Sequence, residues 1–255
     1  MHLPTPELPA DSPEQRAHDR RRLLRAFNLS FLAVLVLGAV FIAQPALDLS
    51  AWTVRPHALS GLVGVLTAPL LHGSVEHFAA NAISLLLLGA LAGAVYPRAT
   101  LRALPLLWLG SGLGAWLLGS AGSYHLGASG LTHGLMFLVF SLGLLRRDRP
   151  SVAAAMIAFF LYGGMLLTVL PHEAGVSWQS HLGGALAGMA AAWLFRHSDP
   201  LPPRRRYSWE IEEELAAQRA QDELEPGAPA DVPVLWHRSE TRDERGVVLR
   251  FPPRG

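Results

Sequence analysis

The sequence predicts an all-α polytopic membrane protein, a bundle of six transmembrane helices with disordered polar tails, on three observations. Residues 29–195 hold only 10 of the 41 charged side chains in the 255-residue chain, too few to solvate the surface of a soluble domain of that size. Within that stretch six apolar runs, each about 17–25 residues long, fit the thickness of a bilayer. Arginines then mark alternate loops. The expected division is a cytoplasmic N-terminal tail over 1–26, a membrane domain over 27–196 and a largely disordered cytoplasmic tail over 197–255.

The first span, near 27–47, follows Arg20, Arg21, Arg22 and Arg25. It is too long, and too poorly followed by a cleavage site, for a signal peptide. Glu7, Asp11, Glu14 and Asp19 ahead of it argue against a presequence. The second span, near 77–96, opens in LLHGSVEHFAANAISLL with His72, His77 and Asn81. Arg98 and Arg102 stand at the start of the third, near 101–121. The fourth, near 127–145, opens in YHLGASGLTHGLMF with Ser129 and His133. Arg146, Arg147 and Arg149 precede the fifth, near 151–170. The sixth, near 178–195, opens in SWQSHLGGALAGMAAAW with Gln179, Ser180 and His181; Arg196, Arg204, Arg205 and Arg206 follow it. The other loops carry only Arg55, so the positive-inside rule places both termini in the cytoplasm. Beyond the spans, SWEIEEELAAQRAQDEL can form one short helix in an otherwise disordered tail.

The absence of cysteine excludes disulfides, thiolate zinc sites and a cysteine nucleophile. The net charge of +1 says nothing about partners. The lipid bilayer is the one partner the composition requires, and no nucleic acid is expected.

Polar groups at membrane depth are costly and ask for a reason. With the N-terminus inside, the second, fourth and sixth spans all begin on the outer side. Their polar clusters therefore share one level, within about 5–8 Å of the helix ends at 1.5 Å per residue. Such a chamber offers a limited chemistry. Ser129, between Gly127-Ala128 and Gly130, is a hydroxyl that other backbone can approach, and His181 on another helix can take its proton. His77 and Asn81, at i and i+4 on one helical face, can donate hydrogen bonds where charge develops on a carbonyl oxygen. The backbone N–H groups near Ser129 can join them. Gly184 and Gly188 form a small-residue face that lets the sixth span approach the fourth closely. Competing chemistries lack their parts: there is no H-E-x-x-H after His172-Glu173, no aspartate pair within the spans and no carboxylate at mid-depth.

In this order on spans two, four and six, His72-x4-His77-x3-Asn81, Gly127-Ala-Ser129-Gly130 and His181-x2-Gly184-x3-Gly188 resemble the rhomboid intramembrane serine proteases, over about residues 60–195. The resemblance implies that Ser129 is the nucleophile and His181 its general base, in a bacterial six-span core. His77, Asn81 and the Ser129 N–H would form the oxyanion hole, with His72 and the glycines in support. It implies cleavage of transmembrane protein substrates in or beside their membrane segments through an acyl-enzyme, at the outer face of a bacterial cytoplasmic membrane. Water is the only co-substrate, and no metal or organic cofactor is expected. The other reading is a catalytically inactive rhomboid-like protein that binds transmembrane helices.

Two positions depart from the family pattern. The usual Trp-Arg pair of the first outer loop is Val63-Gly64 here, which leaves Trp52 and Arg55 to anchor that loop against the membrane. Four residues after the serine, the usual aromatic is His133. An imidazole there can stack on His181, and it can also titrate and repel a protonated partner.

Overall fold

The computed structural model describes residues 13–171, 175–200 and 208–224. Glu7, Asp11, His172, Glu173, the Arg204–Arg206 cluster and the tail beyond Leu224 lie outside the described residues. The described elements are α1 (Pro13–Ala43), α2 (Leu62–Thr67), α3 (Val75–Val95), α4 (Pro97–Leu118), α5 (Ser129–Arg146), α6 (Arg149–Tyr162), α7 (Trp178–Phe195) and α8 (Ser208–Leu224). Residues 1–205 cluster as one unit, and α8 falls in a second.

Five of these helices are long and apolar enough to cross a membrane: α1, α3, α4, α5 and α6, the last with the 3-10 turn that extends it to Leu166. The sixth expected span forms α7 over the expected residues. Its first turn, Gln179-Ser180-His181, is polar, and it stands apart from those five. Outward faces carry the apolar side chains a bilayer requires, among them Ile42, Ile83, Leu101, Phe160 and Trp193.

Two element boundaries differ from expectation. α1 begins at Pro13, within the stretch read as a tail, because Gln15, Arg16, Ala17 and the following Arg/Leu run are good helix formers with no breaker before the apolar segment. α6 ends at Tyr162, well short of 170. Gly163-Gly164 breaks it, and the chain continues as a 3-10 turn over Gly163–Leu166 and then as irregular turns.

α5 is the central post. Leu135, Met136, Leu138, Val139 and Leu142 on it are fully or almost fully buried. It packs against α3, α4, α6 and α7, while α1 packs on α3. α7 lies against both α4 and α5, and glycines make both contacts. On one side, a Cβ added at Gly184 or Gly188 would collide with the carbonyls of Gly130 and Gly134 on α5. On the other, Gly183 meets the backbone of Gly110 and Gly114 on α4. Without side chains between them, helix backbones approach closely enough for van der Waals packing to hold them where lipid offers no hydrophobic drive.

The segment between α1 and α3 folds into short helical turns around α2. It is held mainly from α4, by indoles the sequence did not single out. Trp116 Nε1 donates to the Ala58 carbonyl at 2.9 Å and Trp108 Nε1 to the Leu66 carbonyl at 3.0 Å. Trp52 contributes its carbonyl, which accepts from Thr67 Oγ1 at 2.7 Å, while its side chain stays exposed.

At the arginine-bearing end, Asp199 closes the bundle. Its carboxylate accepts from the Arg98 and Ala99 N–H groups at 3.0 and 2.8 Å, capping α4, whose own N-cap residue Tyr96 makes no side-chain cap. Arg146 Nη1 donates to the Asp199 carbonyl at 2.6 Å. The chain is therefore docked to the bundle beyond α7, through Ser198 and Asp199, in a stretch read from sequence as tail.

Candidate active site

The N-terminal turns of α3, α5 and α7 meet at the opposite end, around a cavity of about 1010 Å³. Ser129, His181, His77 and Asn81 all line it, with Ser120, Ser123, Ser177 and Gln179 adding further polar surface.

Ser129 is the first residue of α5, so its N–H has no acceptor within the helix and lies at the positive end of the helix dipole. Its Oγ stands 2.9 Å from His181 Nε2. His181 Nδ1 lies 3.0 Å from the Thr168 carbonyl. A carbonyl only accepts, so Nδ1 carries the proton and Nε2 is free to accept from the Ser129 hydroxyl. That tautomer suits a general base.

The ring of His133 stacks on that of His181, with centroids 3.8 Å apart and planes 10° from parallel. It is buried behind His181 and does not line the cavity. Its Nδ1 lies 2.7 Å from the Ser129 carbonyl and its Nε2 2.8 Å from Thr168 Oγ1.

α3 is capped by Ser74, whose hydroxyl accepts from the His77 N–H at 3.1 Å and fixes the first turn. His77 Nδ1 faces the Gly73 N–H at 3.5 Å, which leaves Nε2 to carry the proton. Asn81 Nδ2 donates one hydrogen to the His77 carbonyl at 3.0 Å and has a second to give. Gly127 makes room for this arrangement. It has φ of +114°, and a Cβ there would fall 2.5 Å from His77 Cε1. At Gly130 a Cβ would strike Ser111 and the Ser180 carbonyl, 2.7 Å away, so the Ser129 turn could not seat against α7.

His72 is buried outside the cavity lining, its ring edge-on to His77 at 5.2 Å and to Phe78 at 5.6 Å. Gln44, just past the end of α1, grips its backbone from both sides: Nε2 donates to the His72 carbonyl at 2.7 Å and Oε1 accepts from its N–H at 2.8 Å. His72 thus ties α1 to the start of α3.

Two groups here escaped the sequence reading. Thr168 supplies a carbonyl to His181 and a hydroxyl to His133; a lone threonine near the end of an apolar run carries no signal. His125 joins three segments. Its Nε2 lies 2.9 Å from Ser123 Oγ, its Nδ1 2.7 Å from Ser177 Oγ, and its backbone forms an antiparallel bridge with Val54. Among the described residues no cluster of three or more His, Asp or Glu side chains could hold a metal ion.

The arrangement joins a hydroxyl, a base in the accepting tautomer and several N–H donors around one polar cavity. Those are the parts that acyl transfer uses. The Rhomboid domain family model matches residues 59–198. An uncharacterized protein of Mycobacterium tuberculosis is 38% identical over 174 residues, which are 65% of this chain and 72% of its own length. An uncharacterized protein of Mycobacterium bovis matches with the same figures. One from Mycobacterium leprae is 34% identical over 174 residues, 65% of this chain and 69% of its own. This chain, with its buried α5 and a polar site at the N-terminal turns of α3, α5 and α7, belongs to the rhomboid family.

Proposed function

We propose that the protein is an intramembrane serine endopeptidase that cleaves transmembrane protein substrates in or beside their membrane segments. The observation that carries this reading is the 2.9 Å contact between Ser129 Oγ and His181 Nε2, with Nδ1 committed to a carbonyl. Ser129 Oγ attacks the scissile carbonyl carbon as its proton passes to His181 Nε2. The oxyanion accepts hydrogen bonds from the Ser129 N–H, Asn81 Nδ2 and His77 Nε2. His181 then protonates the leaving amine, which departs and leaves an acyl-enzyme. Water enters through the polar cavity, gives a proton to His181 and hydrolyses the ester, restoring Ser129. A substrate helix has to unwind locally before its carbonyl can reach Ser129, because a helix conceals its carbonyls in its own hydrogen bonds. The arginine pattern supports a site near the outer face of a bacterial cytoplasmic membrane, with both termini inside.

A fluorophosphonate probe tests the reading without a known substrate, since it traps a serine activated by a base. The folded wild-type protein should label, and Ser129→Ala and His181→Ala should not. A folded wild type that never labels would point to a helix-binding relative without catalysis.

A further inference from the structure

Thr168 and His133 close a ring of hydrogen bonds with Ser129 and His181. Ser129 Oγ meets His181 Nε2 at 2.9 Å, and His181 Nδ1 meets the Thr168 carbonyl at 3.0 Å. Thr168 Oγ1 meets His133 Nε2 at 2.8 Å, and His133 Nδ1 meets the Ser129 carbonyl at 2.7 Å. Donors and acceptors follow from the two carbonyls, which only accept. His133 Nδ1 donates to Ser129, so the neutral ring leaves Nε2 to accept the Thr168 hydroxyl proton. His181 Nδ1 donates to Thr168, so Nε2 accepts from Ser129. The Thr168 hydroxyl has a second, longer acceptor in the Met165 carbonyl at 3.2 Å, but its single proton goes to His133 Nε2 at 2.8 Å, since the neutral ring has no proton of its own to give there.

We propose that Thr168 is a positioning residue for the dyad, its carbonyl setting the plane and tautomer of His181 and its hydroxyl setting His133 beneath it. The proposal rests on the serine protease reading above. Thr168 can serve both rings because α6 stops at Tyr162. In a helix running through Thr168 its carbonyl would point along the helix axis toward the next turn; past the end of α6 the chain turns so that it faces His181 instead. The Gly163-Gly164 break therefore has a purpose at the site.

His133 matters when His181 becomes an imidazolium as Ser129 attacks. A neutral ring stacked 3.8 Å away offers its π face to that cation. Tilting or sliding His133 weakens that contact. It also releases the Ser129 carbonyl, which Thr132 Oγ1 holds as well at 2.8 Å. The two bonds that pin His133 act on base and nucleophile together.

The test uses the full-length protein in detergent and the fluorophosphonate probe, separating the maximal labelling rate from probe affinity. Thr168→Val keeps the shape and the carbonyl and removes the hydroxyl. It should lower the maximal rate by about 10- to 100-fold, the scale of a small misalignment of reacting groups, with probe affinity and thermal midpoint little changed. Thr168→Ser should restore most of the rate. His133→Phe, which keeps a ring for stacking but loses both bonds, should fall as Thr168→Val does. It carries the test without altering residue 168. Wild-type rates in Thr168→Val or in His133→Phe, or a Thr168→Ser variant as slow as Thr168→Val, would overturn the proposal while leaving the dyad intact. A wild type that does not label would overturn the protease reading and this proposal with it.

Discussion

Replacing Gly114 with alanine tests whether helix packing outside the cavity lining sets Ser129 against His181. Gly114 lies on α4 and faces α7. A Cβ there falls 2.5 Å from the Gln179 carbonyl oxygen and 2.8 Å from Gly183 Cα. Relaxing to an ordinary contact of about 3.5–4 Å requires a shift of about 0.7–1.5 Å between the helices. α7 cannot withdraw toward α5, because Gly184 and Gly188 already press on the Gly130 and Gly134 carbonyls. The strain has to be relieved by tilt or slide of the first turns of α7, which carry His181. The Ser129–His181 contact of 2.9 Å then opens past about 3.5 Å, the outer limit of a hydrogen bond. Overpacking of this kind costs about 1–3 kcal/mol, and a misplacement near 1 Å costs about 100-fold in rate. Labelling kinetics and thermal unfolding of the detergent-solubilised variant read the two effects separately. Gly38→Ala on α1 is the control, since a Cβ there makes only an ordinary contact, 3.6 Å from Phe78 Cζ. A folded Gly114→Ala protein that labels at the wild-type rate would refute the argument that the glycine seam between α4 and α7 positions His181.

Two further outcomes follow from the same geometry. Asp199→Ala removes the acceptor for two N–H groups at the start of α4. It should destabilise the bundle by about 1–3 kcal/mol, read as a lower thermal midpoint, with the maximal labelling rate unchanged because the site is at the other end; an unchanged midpoint would show that Asp199 caps nothing. His125, in the loop between α4 and α5, has its pKa held by burial below the ordinary 6.5. The folded protein then resists a proton that the unfolded chain accepts. The resulting stability is fully present above about pH 6.5 and is lost as the pH falls from there toward the folded pKa. His125→Gln should therefore flatten the fall in thermal midpoint below pH 6.5, and a slope unaltered by the substitution would assign that acid sensitivity to another group.

Much of the bundle was legible because lipid imposes strict demands. Apolar runs of sufficient length report helices directly, and residues 178–195 formed α7 over the span read for it. The boundaries that moved are those where hydropathy is silent. α1 extends back to Pro13 through arginines that suit a helix as well as a tail, and α6 yields at Gly163-Gly164 although the apolar run continues.

Ser129, His181, His77 and Asn81 stood out in the sequence because each is a rare polar group at one membrane level, on alternate spans, and the fold brings all four to one cavity. Their distances could not. Tertiary structure decided that α7 presses against α4 as well as α5, through Gly183 against Gly110 and Gly114. It also decided that His181 is oriented by Thr168 and that the 44–70 segment hangs from Trp108 and Trp116. In each of these contacts one partner is a backbone carbonyl or Cα. Every residue carries those atoms, so no letter in a sequence distinguishes the one that is used. Only the path of the chain leaves a particular carbonyl unspent and brings a donor to it.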